Sequence, residues 1–318
     1  MLRYHHALKY RKRGLESMKK ALIYGIFGAL FFAFTFIFNR SMNLSGGYWL
    51  WSASLRYLFT LPMMLIIVMK KKELAGVIQA IQKELVTWLL WSTVGFGFFY
   101  APLSMASVYG ESWFVAAMWQ ITIVAGILLT PVFGKKIPLK NLLMSGVILL
   151  GIGLLQVQHI ENGMNHGMMQ SLLLIMVAAV SYPLGNRKMM QHCAKDGLTT
   201  IQRVFGMTLM SMPFWLLLSG ASVIKVGLPS CNQVIQSFIV ALFSGVIATL
   251  LFFEATNLVK DNPKQLAVIE ATQSGEVIFT LLGGCLFLGD KLPSAVGFVG
   301  IAAVVAGMIV NSLLSAEK

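Results

Sequence analysis

Charged residues are scarce in this chain of 318 residues. Only 12% of the residues are Asp, Glu, Lys or Arg, whereas about 25% are charged in an ordinary soluble domain. Hydrophobic residues make up 57% of the chain and form long continuous runs, and the mean hydropathy is +0.75. The composition therefore excludes a soluble globular domain and predicts an integral membrane protein that crosses the bilayer many times.

Cysteine and histidine are also rare. The three cysteines, Cys193, Cys231 and Cys285, are odd in number and widely spaced, which indicates neither a disulfide framework nor a metal site. The five histidines fall in predicted tails and loops, and no glycine-rich phosphate loop followed by Lys-Ser or Lys-Thr occurs. We therefore expect a protein that is not an enzyme, with no catalytic residue, no metal, no cofactor and no ATP-driven step.

Acidic residues are outnumbered, with 12 Asp and Glu against 25 Lys and Arg, for a net charge of +13. This excess would suggest nucleic-acid binding in a soluble protein. Membrane proteins, however, concentrate Lys and Arg in their cytoplasmic loops. We therefore predict that this chain interacts with the lipid bilayer and not with nucleic acid.

Ten apolar runs are each close to the ~20 residues that a bilayer requires. They lie at residues 20–39, 48–69, 86–108, 112–133, 140–157, 167–186, 199–219, 234–257, 263–288 and 293–313. The predicted fold is an all-α integral membrane domain with five helices in residues 20–157 and five in 167–313. A basic tail, 1–19, precedes them and a short tail, 314–318, follows; Met18 is an alternative start of the protein.

The loop charges predict the orientation. The N-terminal tail and the loops after predicted helices 2, 4, 6 and 8 hold most of the Lys and Arg residues, whereas the alternate loops hold only Arg40, Lys225 and Lys291. Both termini are therefore predicted to be cytoplasmic.

The two halves repeat the same short motifs in the same order. Arg56 lies 16 residues after Arg40, and Arg203 lies 16 residues after Arg187. Other pairs are Asn39-Arg40-Ser41-Met42 with Asn186-Arg187-Lys188-Met189, Phe98-Phe99-Tyr100-Ala101 with Phe252-Phe253-Glu254-Ala255, Gly134-Lys135-Lys136-Ile137-Pro138 with Gly289-Asp290-Lys291-Leu292-Pro293, and Gly146 and Gly153 with Gly300 and Gly307. Because five is odd, the second half would enter the membrane upside down, and a substrate site is expected near the midplane of this inverted repeat.

Ten helices, the Phe-Phe-x-Ala segments and the Gly-x-x-x-Pro turns resemble the drug/metabolite transporter superfamily. Within it, the chain resembles the ten-helix multidrug resistance efflux transporters. The resemblance implies a multi-pass protein of the bacterial plasma membrane that exports drugs, amino acids or other metabolites, or exchanges nucleotide sugars. One departure is that predicted helix 1 lacks the membrane glutamate with which the four-helix members of the superfamily bind both drug and proton.

Five charged residues within the predicted helices stand out as candidates. A charge at the bilayer centre costs at least ~2.5–3.5 kcal/mol and is by default a functional hypothesis. Glu254 and Glu270 flank the turn between predicted helices 8 and 9 at similar depth, and Arg203 lies within reach of that depth. These three residues form either a static ion-pair clamp or a site that exchanges a proton for a cation.

Glu276 lies nearer the midplane, with Gln273 one turn before it. A buried carboxyl without a partner suits a proton carrier or a ligand for a cationic drug, and the alternative is a neutral carboxyl that is hydrogen-bonded between helices. Arg56, the counterpart of Arg203, has Glu111 and Glu276 as possible partners, and we predict a structural pair with Glu111. If Arg56 instead faced the cavity unpaired, it would favour anionic or zwitterionic substrates.

Three aromatic residues, Tyr100, Trp119 and Tyr182, are candidates to line a cavity, because aromatic faces bind organic cations. Ordinary packing or lipid contact is the alternative for each. The glycine pairs Gly146/Gly153 and Gly300/Gly307 predict close contact between helices 5 and 10.

These residues predict a secondary transporter that exports small hydrophobic or cationic compounds in exchange for protons, as a monomer or a homodimer. One alternative is export of amino acids or related metabolites. Another, of a different class, is a membrane receptor or scaffold that binds a ligand without transporting it.

Overall fold

The computed structural model describes residues 2–161, 166–259 and 262–315, and its regular elements are all helical. We number the long helices α1 to α10. They are α1 Leu2–Leu44, α2 Trp49–Lys70, α3 Leu85–Ala106, α4 Ser112–Leu128, α5 Leu139–Glu161, α6 His166–Lys195, α7 Thr200–Val226, α8 Cys231–Val259, α9 Lys264–Leu288 and α10 Ala295–Ser315.

Eight of these helices are individually long and apolar enough to cross a membrane, within the part of the chain described. Helix α7 would be a ninth, although it bends by 40° between Thr200–Met210 and Met212–Val226. Helix α4 is shorter than a full span. An integral membrane protein is therefore the observed class, and the count of ten spans stays a prediction.

Two segments differ from the sequence prediction. Helix α1 begins at Leu2 and not near residue 20, because the Leu, Ala, Lys and Arg residues of the predicted tail are good helix formers. Residues Leu74–Lys83, predicted as a loop, form a short amphipathic helix that buries Val77, Ala80 and Ile81. The backbone path of residues 1 and 316–318 and all side chains before Glu16 lie outside the described part.

Many of the helix contacts come in matched pairs. Helix α1 packs against α8 and α9, and α6 packs against α3 and α4. Helix α2 contacts α8, and the equivalent pair, α7 and α3, are also in contact. Helix α4 contacts α5, and the equivalent pair, α9 and α10, are also in contact. Three further contacts, α2 with α7, α4 with α9 and α5 with α10, join equivalent helices of the two halves. A transporter built from two related halves would have this pattern.

Backbone irregularities also occur in corresponding helices. A π-helical turn interrupts α3 at Thr93–Gly97, and another interrupts α8 at Ala241–Ala248. Helix α4 breaks at Gln120, and α9 contains a 3₁₀ turn at Thr272–Ser274. Such turns rotate the side chains that follow them and are frequent at functional sites.

Glycine brings α5 and α10 together, although at positions that differ from the prediction on one helix. A Cβ on Gly300 would lie 2.8 Å from the carbonyl oxygen of Gly151, and a Cβ on Gly307 would lie 2.7 Å from Ile148 Cγ1. Gly146 and Gly153, which the sequence predicted to make this contact, face open space. The repeat of glycines thus predicted the contact surface of α10 correctly and that of α5 incorrectly.

Gly151→Ala is expected to destabilise the protein, whereas Gly153→Ala is a matched control two residues along the same helix. A Cβ on Gly151 would lie 2.6 Å from the carbonyl oxygen of Gly300, so the two helices must separate, at a cost of about 1–3 kcal/mol. A thermal denaturation scan in detergent should show a lower melting temperature for Gly151→Ala alone. Equal melting temperatures of the two variants would show that this close contact does not matter for stability.

Candidate functional site

A cavity of about 750 Å³ lies between the helices and is lined by residues from all ten of them. Its volume is in the range of small-molecule sites. Pro138, Arg187 and Ser312 place its mouth at the face of the protein where α4 and α10 end, which we call the terminal face. Among the described residues, its lining includes none from the loops on the opposite face, and the cavity opens toward the terminal face.

The structure places most of the predicted site residues in this cavity. Seven of the nine line it: Glu276, Glu270, Arg56, Arg203, Gln273, Trp119 and Tyr182. Tyr100 does not line the cavity; it is fully buried, and its ring lies next to Arg56. Glu254 is exposed on the outer surface of α8 and does not line the cavity.

Glu276 is 9% exposed and lies directly after the 3₁₀ turn of α9. The side chain of Gln120, from the break in α4, lies near the Glu276 carboxyl, and Arg56 and Tyr182 lie within electrostatic range. Within the described residues, no basic side chain lies within 4.0 Å of this carboxyl. The two helix breaks thus place a buried carboxyl beside one amide, facing the cavity.

Arg56 is also 9% exposed, and its guanidinium donates to the Oγ1 of Thr35 and to the Oγ of Ser244, each at 3.2 Å. The two hydroxyls also hydrogen-bond each other. The guanidinium carbon lies 4.1 Å from the centre of the Tyr100 ring. The predicted ion pair with Glu111 is not formed, because the guanidinium turns toward α1 and the π turn of α8.

The predicted cluster of Arg203, Glu254 and Glu270 is likewise not formed as ion pairs in the part of the chain that the structure describes. Counting turns gave a depth for Glu254 but not its face. The π turn at Ala241–Ala248 rotates the rest of α8, so that Phe252 and Phe253 face the cavity and Glu254 faces outward. The Nε of Arg203 is buried without a hydrogen-bond partner.

An aromatic wall borders the cavity, and we use this name for Phe99, Trp119 and Tyr182. The Phe99 and Tyr182 ring centroids lie 4.7 Å apart, those of Phe99 and Trp119 lie 5.0 Å apart, and those of Trp119 and Tyr182 lie 5.6 Å apart. Tyr182 is within electrostatic range of Arg203, Glu276 and Arg56. The aromatic wall therefore stands close to the charges of the cavity.

Aromatic and hydrogen-bond contacts close the cavity on the side away from the terminal face. Tyr57 stacks on Trp215 with ring centroids 4.3 Å apart, and Asn39 donates to the hydroxyl of Tyr100 at 3.2 Å. Further out, the Asp290 carboxylate accepts a hydrogen bond of 2.8 Å from the backbone N–H of Ser112, at the start of α4, and one from its hydroxyl.

Arg40, near the end of α1, completes this outer contact. Its Nε lies 3.7 Å from Asp290, and a second guanidinium nitrogen donates to the carbonyl of Val108. We call Arg40, Ser112 and Asp290 the opposite-face latch, because they tie α1, α4 and the α9–α10 loop together.

Thr35, Ser244 and Arg187 are among the cavity residues that were not predicted from the sequence. Thr35 and Ser244 are short hydroxyl residues in apolar runs, and nothing in their spacing marks them. Arg187, which lines the mouth and donates to the carbonyl of Gly126, was identified as a repeat motif and a loop charge but not as a cavity residue. In the described residues, no group of three or more His, Cys, Asp or Glu could hold a metal ion.

Comparison with known proteins gives two similar bacterial chains and matches to 11 chains of solved structures. The uncharacterized protein YjlA of Bacillus subtilis (strain 168) is 47% identical over 312 residues, which cover 94% of this chain and 96% of that protein. An uncharacterized 42.1 kDa protein of Shouchella clausii is 43% identical over 283 residues, which cover 85% of this chain and 74% of that protein.

A protein of known crystal structure superposes with a TM-score of 0.64 at 10% identity, covering 94% of this chain and 98% of that one. At this identity the superposition shows the fold alone. The family model described as "EmrE: Putative multidrug resistance efflux transporter" matches residues 19–317, nearly the whole chain. The chain therefore belongs to this family of multidrug resistance efflux transporters, in the drug/metabolite transporter superfamily.

Proposed function

We propose that this protein is a secondary active exporter that moves small, partly hydrophobic molecules across the bacterial plasma membrane in exchange for protons. The observation that carries this proposal is a cavity that opens toward one face and contains the buried carboxyl of Glu276 without an ion-pair partner in the described residues. Such a carboxyl can hold a proton when the substrate is absent and release it when the substrate binds.

The loop charges support the proposed direction of transport, out of the cell. The terminal face carries most of the loop Lys and Arg residues and would be cytoplasmic. The cavity would then be open to the cytoplasm and closed to the outside by the opposite-face latch and the Tyr57–Trp215 stack. An exporter that waits for substrate from inside the cell requires this state.

The matched helix contacts support an inverted repeat of five helices. In such a protein, the two halves rock around a fixed site and expose it to each side in turn. The matched helix contacts would be kept while the two halves tilt, and the opposite-face latch would open. The site would hold a proton on Glu276 in one direction and the substrate in the other, so that each carries the site across once per cycle.

The aromatic wall gives the cavity an apolar surface for the body of the substrate. We expect Trp119→Ala to weaken substrate binding about 10-fold, because loss of a buried aromatic contact costs about 1–2 kcal/mol. Trp119→Phe, which keeps an aromatic face beside Phe99 and Tyr182, should lose much less. Equilibrium binding of a transported compound to the three purified proteins would test this, and equal affinities would remove Trp119 from the site.

A second candidate function is export of amino acids or related metabolites. Arg56 favours it, since its guanidinium faces the cavity beside neutral hydroxyl groups and not beside a carboxylate. A receptor or scaffold role is the alternative of another class.

One experiment separates these functions. Proteoliposomes that contain the purified protein would be given a pH gradient and a panel of lipophilic cations, amino acids and nucleotide sugars. The proposal expects at least one compound to accumulate against its gradient only when the pH gradient is present. Substrate flux that does not depend on the pH gradient would refute proton coupling. Substrate binding without any flux would indicate the receptor role.

A further inference from the structure

Arg56 is a buried charge whose direct partners are neutral. Its hydrogen bonds go to Thr35 and Ser244, and no carboxylate lies within 4.0 Å of it among the described residues. A buried charge without a paired counter-charge is costly, in a membrane more than elsewhere. An anionic group entering the cavity would relieve this cost.

The free donors of Arg56 limit the size of that anion. A guanidinium has five N–H donors in one plane. Thr35 and Ser244 occupy one terminal nitrogen each, and the Tyr100 ring lies 4.1 Å from the guanidinium carbon. The remaining donors suit a compact planar acceptor, and a carboxylate matches the guanidinium fork best.

The other charges of the cavity limit the total charge of the ligand. Three arginines, Arg56, Arg187 and Arg203, line it together with Glu270 and Glu276. The arginines outnumber the glutamates by one, which accommodates a single negative charge and disfavours a polyanion such as a phosphate ester. The aromatic wall provides an apolar surface within the same cavity.

We propose that Arg56, held by Thr35 and Ser244, is a subsite for the carboxylate of the transported molecule, whose apolar or aromatic body lies against the aromatic wall. The inference rests on the proposed transport function and narrows its substrate class to amphipathic carboxylates, either monoanions or zwitterions. Permanent lipophilic cations without a carboxylate are then poor ligands of this chain.

The test measures binding, without any gradient, to the full-length purified protein in detergent. The probes are 3-phenylpropionate, its primary amide and 2-phenylethylammonium, which share a phenyl body and differ in charge. The wild-type protein is expected to bind the carboxylate about 10-fold or more tightly than the amide, as is typical of hydrogen bonds to a charged group. Equal affinities, or preference for the ammonium compound, would overturn the subsite.

Matched variants locate the effect. Arg56→Gln should remove the preference for the carboxylate and leave amide binding nearly unchanged. Lys225→Gln removes the same charge at an exposed position of α7 outside the cavity and should behave as wild type. If Arg56→Gln does not fold, Arg56→Lys keeps the charge but lacks the planar fork, and it should bind the carboxylate more weakly with unchanged amide affinity. A carboxylate preference that survives these substitutions would place the anion elsewhere.

The failure of the subsite and the failure of the transport proposal can be told apart. A protein that binds the carboxylate through Arg56 but moves no substrate would keep the subsite and lose the exporter function. A protein that exports lipophilic cations equally well with Arg56 and with Arg56→Lys would keep the function and lose the subsite.

Discussion

Glu276→Gln is expected to abolish proton-driven transport while leaving the protein folded and able to bind substrate. Glutamine has nearly the same shape and can still interact with the nearby side chain of Gln120, but it cannot gain or lose a proton in the way that coupling requires. Because no basic side chain pairs with Glu276 within the described residues, neutralising it leaves no buried cation without a direct partner. We therefore expect complete loss of accumulation with little change in melting temperature.

The matched control is Glu254→Gln. Glu254 is a glutamate of the neighbouring α8, but it is exposed and does not line the cavity. Substrate accumulation driven by a pH gradient should be lost in Glu276→Gln and retained in Glu254→Gln. Normal accumulation by Glu276→Gln would show that this carboxyl does not couple transport to protons. Loss of accumulation in Glu254→Gln alone would place the coupling carboxyl on the outer surface of α8.

Asp290→Ala is expected to open the opposite face. The Asp290 carboxylate caps the first turn of α4 through the N–H of Ser112 and lies beside the buried Nε of Arg40. Loss of a helix cap costs about 0.5–2 kcal/mol, and Arg40 also loses its counter-charge. If this cost falls on the closed state alone, the population open to the opposite face should rise about 10-fold.

A cysteine behind the latch can report this change. Ser104 is fully buried on α3, on the closed side of the cavity, and cysteine is nearly isosteric with serine. In a protein whose three native cysteines are replaced by serine, Ser104→Cys should react faster with a membrane-impermeant maleimide from the opposite face when Asp290→Ala is present. Glu111→Ala, which removes a neighbouring carboxylate outside the latch, should leave the rate unchanged. Equal rates in all three proteins would mean that the latch does not hold this face closed.

The sequence predicted the positions of the helices well because a long apolar run is stable in a bilayer as an α-helix. The family resemblance drawn from the Phe-Phe-x-Ala segments and the glycine-proline turns is confirmed by the match over residues 19–317. The extra turns of α1 and the short helix Leu74–Lys83 were not predicted, since an apolar run defines where a membrane begins and not where a helix ends.

The site was harder to predict because membrane helices carry no polar side to orient them. Counting residues gave the depth of Glu254 and Glu276 alike, but only Glu276 faces the cavity, because the π turn of α8 rotates Glu254 outward. Arg56 was predicted as a charged residue of interest, yet its hydroxyl partners Thr35 and Ser244 come from two other helices and leave no signal in the sequence. The same limit explains why Gly151 and not Gly153 contacts α10.

The measurement that tests the central claim most directly is the pH inside proteoliposomes that contain the purified protein and a pH-sensitive dye. Addition of a substrate should change the internal pH in the wild-type protein, and the change should vanish in Glu276→Gln while persisting in Glu254→Gln. Substrate flux without any proton movement, or an undiminished pH change in Glu276→Gln, would contradict proton-coupled export through this carboxyl.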